Sequence, residues 1–302
     1  MKKNLLSFFL IVLMMNASCE KPKSYGRLQL QTSYTSDGKP LVTNDLCYSN
    51  EVGNLFLVTE IQWFLSNLTL QNDQGDEYTL TRQEANTPLD KIFYIDTNLP
   101  ETQSLAMAPI PCGRYVTLRF TFGLDEQDNR TGLFTDPPES NMFWPDPLGG
   151  GYHYMKLNGK YLDTNDQLAP LNIHLGIGQN DTHTTFYQNY FTVELPIDLE
   201  VLEDQDNILH LDMNIDNWFR NPHPYDFQVF GSAIMQNQEA QRLLRENGHD
   251  VFSVVTEDEP LEKTVGVLKG LFRTAAPKPH FYTKKNMKEL LSEITARKGK
   301  RP

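Results

Sequence analysis

The stretch CGRYVTLRFTFGLD, residues 112–125, decides the fold. Tyr115, Thr117, Arg119 and Thr121 alternate with Val116, Leu118, Phe120 and Phe122. Successive side chains of an extended chain point to opposite faces, so this alternation makes one face apolar and reads as a half-buried strand. Toward the N-terminus, KIFYID (91–96) is a second short apolar run, and NLFLVTEIQWFLSNLTLQND (54–73) joins two apolar stretches. Gln74-Gly75-Asp76 then turns the chain into EYTL (77–80), a hairpin signal. RLQLQTSY (27–34) alternates Leu with polar residues before the turn Thr35-Ser36-Asp37-Gly38. Toward the C-terminus the pattern continues in YHYMKLNGKYL (152–162), LNIHLGIG (171–178), YFTVELPIDLEVL (190–202) and NILHLDMNIDNWF (207–219). About eight to ten short strands separated by Gly, Asn, Asp and Pro turns predict an all-β protein. The expected architecture is an antiparallel β-sandwich of Ig-like, Greek-key type over residues 19–230.

The pattern changes after residue 230. AIMQNQEAQRLLREN (233–247) predicts a helix closed by Gly248 as its C-cap, so residues 231–256 are expected as a helix packed on the domain. Residues 257–302 are expected as a linker, marked by Pro277 and Pro279, and a basic tail. In that tail Met287, Leu290, Leu291 and Ile294 allow a short amphipathic helix. No internal repeat is visible.

The first residues, MKKNLLSFFLIVLMMNASC, combine two Lys, an apolar run from Leu5 to Met15 and the small pair Ala17-Ser18 before Cys19. That run is too short for a membrane span and reads as a secretory signal over residues 1–18, with Cys19 as the lipidated N-terminus. The expected location is the periplasm or surface of a Gram-negative bacterium, anchored to a membrane by lipid. An oxidising compartment favours pairing Cys47 with Cys112, the two cysteines of the mature body. That disulfide would close a loop of about 65 residues and contribute roughly 4 kcal/mol. The formal charge is −12; the signal lysines contribute +2 and residues 278–302 contribute +6, which leaves −20 on the body. A surface that acidic argues against a nucleic-acid partner.

Catalytic motifs are missing from the sequence. There is no GxSxG, no HExxH and no Gly-rich phosphate loop with a Lys, so an enzyme is not expected. Gly149-Gly150-Gly151 precedes a strand rather than a helix and reads as a turn. Asp125 to Asn129 (DEQDN) offers carboxylates to a hard cation such as Ca²⁺, though a solvated turn is the commoner use of such a run. Residues 141–176 instead concentrate imidazole and thioether groups around Trp144, which reads as exposed beside the glycines. Those groups suit a thiophilic or borderline metal, copper above all.

Four segments in order carry a family resemblance: IQWFLSNLTL (61–70) with its following hairpin, CGRYVTLRFTFGLDEQDN (112–129), NMFWPDPLGGGYHYMKLNGKY (141–161) and IHLG (173–176). Together they resemble the MbnP-like family, exported copper-binding β-sandwich proteins of the methanobactin-associated type, many of them Bacteroidetes lipoproteins. The resemblance implies copper as cofactor and capture or handling of copper as function. In relatives a Trp is oxidised to kynurenine and helps bind copper, and a di-haem peroxidase of the MauG type matures it. Trp144 is the residue that would inherit that role here. The family segment often has a second Trp two positions on, where this chain has Pro145-Asp146-Pro147 and three Gly.

His174, at the motif position in IHLG, is the leading candidate ligand. His153 follows, beside the Gly triplet and two residues before Met155, which would share its face of a strand. His210 sits with Asp212 and Asn214 on one face of its strand, where a hydrogen-bonded structural histidine competes as a reading. Met142 is a lesser candidate, because a lone Met usually fills a core. The rival function is a metal-free surface lipoprotein whose Trp144 and Gly-rich loop bind a protein or glycan.

Overall fold

The computed structural model describes residues 24–83, 87–180 and 184–255. The signal, Cys19 and the tail after residue 256 lie outside the described residues. The main strands are β1 (Tyr25–Ser36), β2 (Leu55–Asn72), β3 (Ile92–Asp96), β4 (Gly113–Phe122), β5 (Met155–Leu162), β6 (Leu168–Leu175), β7 (Phe191–Val201), β8 (Asp206–Asn214) and β9 (Phe252–Val255). A helix of ten residues, α1 (Gln238–Asn247), joins them. The sheets run β9-β8-β1 and β6-β5-β2-β4-β7, with β3 beside β2. The protein is an all-β sandwich with a short C-terminal helix.

The alternation read in residues 112–125 holds in part: Tyr115 and Thr121, expected outward, are buried, and Val116 is only half-buried. Leu118, Phe120 and Phe122 of β4 are buried, and Arg119 turns outward to pair with Glu77 and Glu194. β2 is the longest strand because two partners share it: β5 pairs along Phe56–Trp63 and β4 along Leu65–Asn72. The partners meet at Phe64, which donates its N–H to the Tyr154 carbonyl (3.0 Å) and accepts from Gly123 N–H (2.8 Å). Gly123, at φ +88°, is required there, since a Cβ would lie 2.7 Å from the Tyr154 ring. Between the sheets, Trp63 stacks on Phe122 at 6.2 Å and donates Nε1–H to the Tyr34 hydroxyl at 3.0 Å. Phe252 of the opposite sheet meets Phe120 edge-on at 5.2 Å. Such aromatic pairs contribute about 0.5–1.5 kcal/mol each beyond the area they bury.

Several expectations are corrected. The sheets are not wholly antiparallel: β1 pairs with β8 in parallel from Arg27↔Asp206 to Thr35↔Asn214. Most of the chain connects those strands, so no hairpin imposes direction on them. The helix begins at Gln238 rather than Ala233, capped by the Asn237 side chain accepting from Ala240 N–H. Gly248 does cap it, but in right-handed conformation (φ −60°). It is glycine for space, since a Cβ would lie 2.2 Å from the Phe191 ring. Residues 252–255, expected within a helical piece, form β9 on the edge of β8.

The expected disulfide is absent: Cys47 and Cys112 are both free. Cys47 precedes Tyr48, which pairs with Phe56 at the start of β2. Cys112 precedes β4, whose Tyr115 pairs with Asn72 at the far end of β2. A strand rises about 3.3 Å per residue, so tens of ångströms separate sulfurs whose Cα atoms would have to come within about 7 Å.

Candidate metal centre

The centre forms on the outer face of the sheet, where β5 and β6 lie side by side. Leu171, Ile173 and Leu175 of β6 are buried toward the core, which turns His174 outward. On β5 the buried Met155 and Leu157 likewise leave Lys156 and Asn158 outward. The register sets two rows across three strands: Gln62, Lys156 and His174 in one, and Glu60, Asn158 and Asn172 in the next. Directly opposed side chains have Cβ atoms about 5 Å apart, so each row is in mutual reach.

A loop closes over this face. Residues 142–144 and 151–153 run against each other, with Trp144 N–H on the Gly151 carbonyl (2.8 Å) and His153 N–H on the Met142 carbonyl (2.6 Å). Gly149, Gly150 and Gly151 reverse the chain between them at φ +121°, +71° and +80°, a run that suits glycine alone. The reversal folds Trp144 inward. Its Nε1–H donates to the Leu148 carbonyl at 3.1 Å, and its ring lies so close to Gly176 that a Cβ there would be 2.5 Å away. Trp144 is 0 % exposed, contrary to the exposed position expected for it. Flanking Pro and Gly resemble an open loop, yet here they form a turn that returns the chain onto β6.

Three rings of the predicted set come together under this loop. Trp144 and His153 have centroids 4.7 Å apart, and His153 and His174 5.1 Å apart, both edge-to-face. His153 is not on a strand with Met155, as expected, but in the bend before β5. Its Nδ1 lies 2.9 Å from the Met142 carbonyl. A carbonyl only accepts, so Nδ1 holds the proton and Nε2 keeps a lone pair. That Nε2 is buried with no hydrogen-bond partner. His174 Nε2 lies 2.8 Å from Asn158 Oδ1, while Asn158 Nδ2 donates to Glu60 Oε2 at 3.1 Å. The carboxylate fixes the amide, the amide fixes Nε2–H, and the lone pair of His174 is left on Nδ1. Metal-ligating imidazoles are oriented by such partners.

Electrostatics keep both rings neutral. Burial lowers the His153 pKa to about 3, and the nearby Lys156 ammonium adds to the effect against the Met142 carbonyl bond. Burial and then Lys156 lower His174 to about 4. Lys156 Nζ donates to the Asn141 carbonyl at 2.6 Å. Both lone pairs are therefore available at neutral pH without displacing a proton.

The other candidates stay apart. His210 lies on β8 in the opposite sheet, between Gln31 and Val255, on the face away from buried Leu209 and Leu211. Its neighbour Asp212 accepts from Ser33 and Thr35 hydroxyls, which is structural use. Met142 and Met155 belong to the hydrophobic core cluster. Asp125 of the DEQDN run accepts from Asn67 Nδ2 and from the N–H groups of Gln127 and Asp128, so its turn is internally satisfied. Among the described residues no group of three or more His, Cys, Asp or Glu gathers around one point. A closed four-ligand zinc site is thus not present in that form. Two neutral imidazoles beside an indole fit an ion content with few nitrogen donors, and copper is such an ion.

Lys156, Asn158, Glu60 and Gln241 were not anticipated. Gln241 of α1 donates Nε2–H to the His174 carbonyl at 2.6 Å and so holds the strand end. The spacing of Lys156 and Asn158 at i and i+2 does announce a shared face. Their partner Glu60 is 98 residues away, and strand register of that range is invisible in one sequence.

The family model for MbnP matches residues 25–236. Among solved structures, MbnP from Methylosinus trichosporium is similar at a TM-score of 0.50 and 12 % identity, over 76 % of this chain and 98 % of that one. At that identity the likeness is one of fold. No curated protein matches the chain.

Proposed function

The chain belongs to the MbnP family, and on that premise we propose that it is an exported, lipid-anchored protein that binds a copper ion for capture or handling. The observation that carries this reading is the orphaned, buried Nε2 of His153 beside His174. A buried acceptor without a partner costs about 1–3 kcal/mol, and a metal ion would satisfy it. His153 Nε2 and His174 Nδ1 are the proposed ligand atoms, with Trp144 against His153. Binding rather than turnover is the proposed activity. Export and anchoring rest on the sequence of residues 1–19.

A di-haem peroxidase of the MauG type is the proposed partner for oxidising Trp144. The indole has no exposed surface, so the partner would have to draw electrons through intervening protein. The metal-free alternative drew on Trp144 and the Gly-rich loop as one binding face, and the burial of the indole favours the copper reading over it. The test is competition titration of the purified protein with Cu(I) and Cu(II), beside His174→Ala. Stoichiometric copper that the variant loses supports the site. Wild-type protein that retains no copper overturns it.

A further inference from the structure

We propose that Lys156 is the specificity-determining residue of this centre: its pinned ammonium repels divalent ions more than monovalent ones and reserves the imidazole pair for a singly charged metal. The inference rests on the copper reading above and deepens it. Lys156 is the direct register partner of His174 on β6. Its Nζ bonds the carbonyl of Asn141, the residue before Met142, whose own carbonyl holds both N–H and Nδ1 of His153. One short segment therefore fixes the cation and one imidazole, and the strand register fixes the other. A surface Lys can swing its charge into water. This one is partly buried and tied at its tip.

The charge balance around the pair is one-sided. Both imidazoles are neutral, and no carboxylate joins them among the described residues. Glu60 stands one row away and is engaged by Asn98 and Asn158. Burial lowers the Lys156 pKa, and Glu60 opposes that shift by favouring the ammonium. Coulomb repulsion is proportional to the charge of the ion. If Lys156 weakens a monovalent ion by a given factor, it weakens a divalent ion at the same point by the square of that factor. The two donor atoms are themselves neutral, so among the described residues only Glu60, one row away and engaged by two amides, offsets the second charge.

The experiment uses purified full-length protein and two redox-inert d¹⁰ probes, Ag(I) and Zn(II), titrated into wild type, Lys156→Met and Lys156→Arg. Lys156→Met is expected to raise Zn(II) affinity by the square of its effect on Ag(I), which narrows the preference about tenfold or more. Lys156→Arg should keep the wild-type preference. In copper-loaded protein the Cu(II)/Cu(I) potential should fall in Lys156→Met by about 59 mV for each tenfold change in the ratio of affinities. An unchanged Ag(I)/Zn(II) ratio in Lys156→Met, with metal still bound, overturns the inference and leaves the copper reading standing. Wild-type protein that binds neither copper nor Ag(I) removes both. If Lys156→Met loses its cooperative thermal transition, Lys156→Gln carries the same comparison.

Discussion

Acid should destabilise the metal-free protein through its two site imidazoles, by an amount that can be worked out. An unfolded His titrates near pH 6.5, whereas burial brings His153 to about 3 and His174 to about 4. Both folded values lie below the unfolded one, so between them the unfolded chain binds more protons. Stability is then complete above about pH 6.5 and is lost as pH falls toward the folded values. Each ring contributes at most about 1.4 kcal/mol per pH unit. From pH 7 to pH 5 the pair should remove about 3–4 kcal/mol, after discounting His174 for its partial exposure. That is a large share of a usual stability of about 5–15 kcal/mol. Carboxylates titrate too, so the measurement is a difference between proteins. His153→Asn keeps a donor for the Met142 carbonyl, and His174→Gln keeps one for Asn158. Urea unfolding of the metal-free wild type and the double variant at pH 7, 6 and 5 should show the wild type losing about 3–4 kcal/mol more. Parallel losses in the two proteins would refute the claim that these rings are held neutral by burial.

Two further outcomes are expected. Gly176→Ala places a Cβ 2.5 Å from the Trp144 ring; overpacking of this kind costs about 1–3 kcal/mol, read as a lower urea midpoint together with a shifted Trp fluorescence spectrum. Protein denatured without reductant should react with thiol reagent at both Cys47 and Cys112. The Cys47→Ser, Cys112→Ser double variant should unfold at the wild-type midpoint rather than lose the roughly 4 kcal/mol a disulfide of that span would contribute.

Much of the fold was legible because its signal is local. Alternation in residues 112–125 and the turns after Ser36 and Asn72 need only neighbouring residues, and they produced strands where expected. The parallel alignment of β1 with β8 had no local signal, since direction is decided between segments far apart. The cysteine pairing failed for a related reason: export makes oxidation favourable but says nothing of distance, and β2 separates the two thiols. At the centre, His153 and His174 were legible as residue types and their meeting was not. Trp144 was misjudged because Pro and Gly beside an aromatic mark a turn without saying which way it folds. Lys156 and Asn158 looked like ordinary outward residues of a strand until the register placed them beside His174.

The parallel seam between β1 and β8 also governs when the molecule can become itself during synthesis. Ser33 and Asp212, hydrogen-bonded across it, are 179 residues apart. A ribosome delivers the N-terminus first, so β1 exists long before its neighbour and meanwhile presents an unsatisfied edge. Closing so long a loop is slow, and folds dominated by distant contacts are the slow ones. Nothing released before Asn214 contains both halves of the seam. The sandwich therefore closes late, and the seam stays open until 214 of the 302 residues have been delivered.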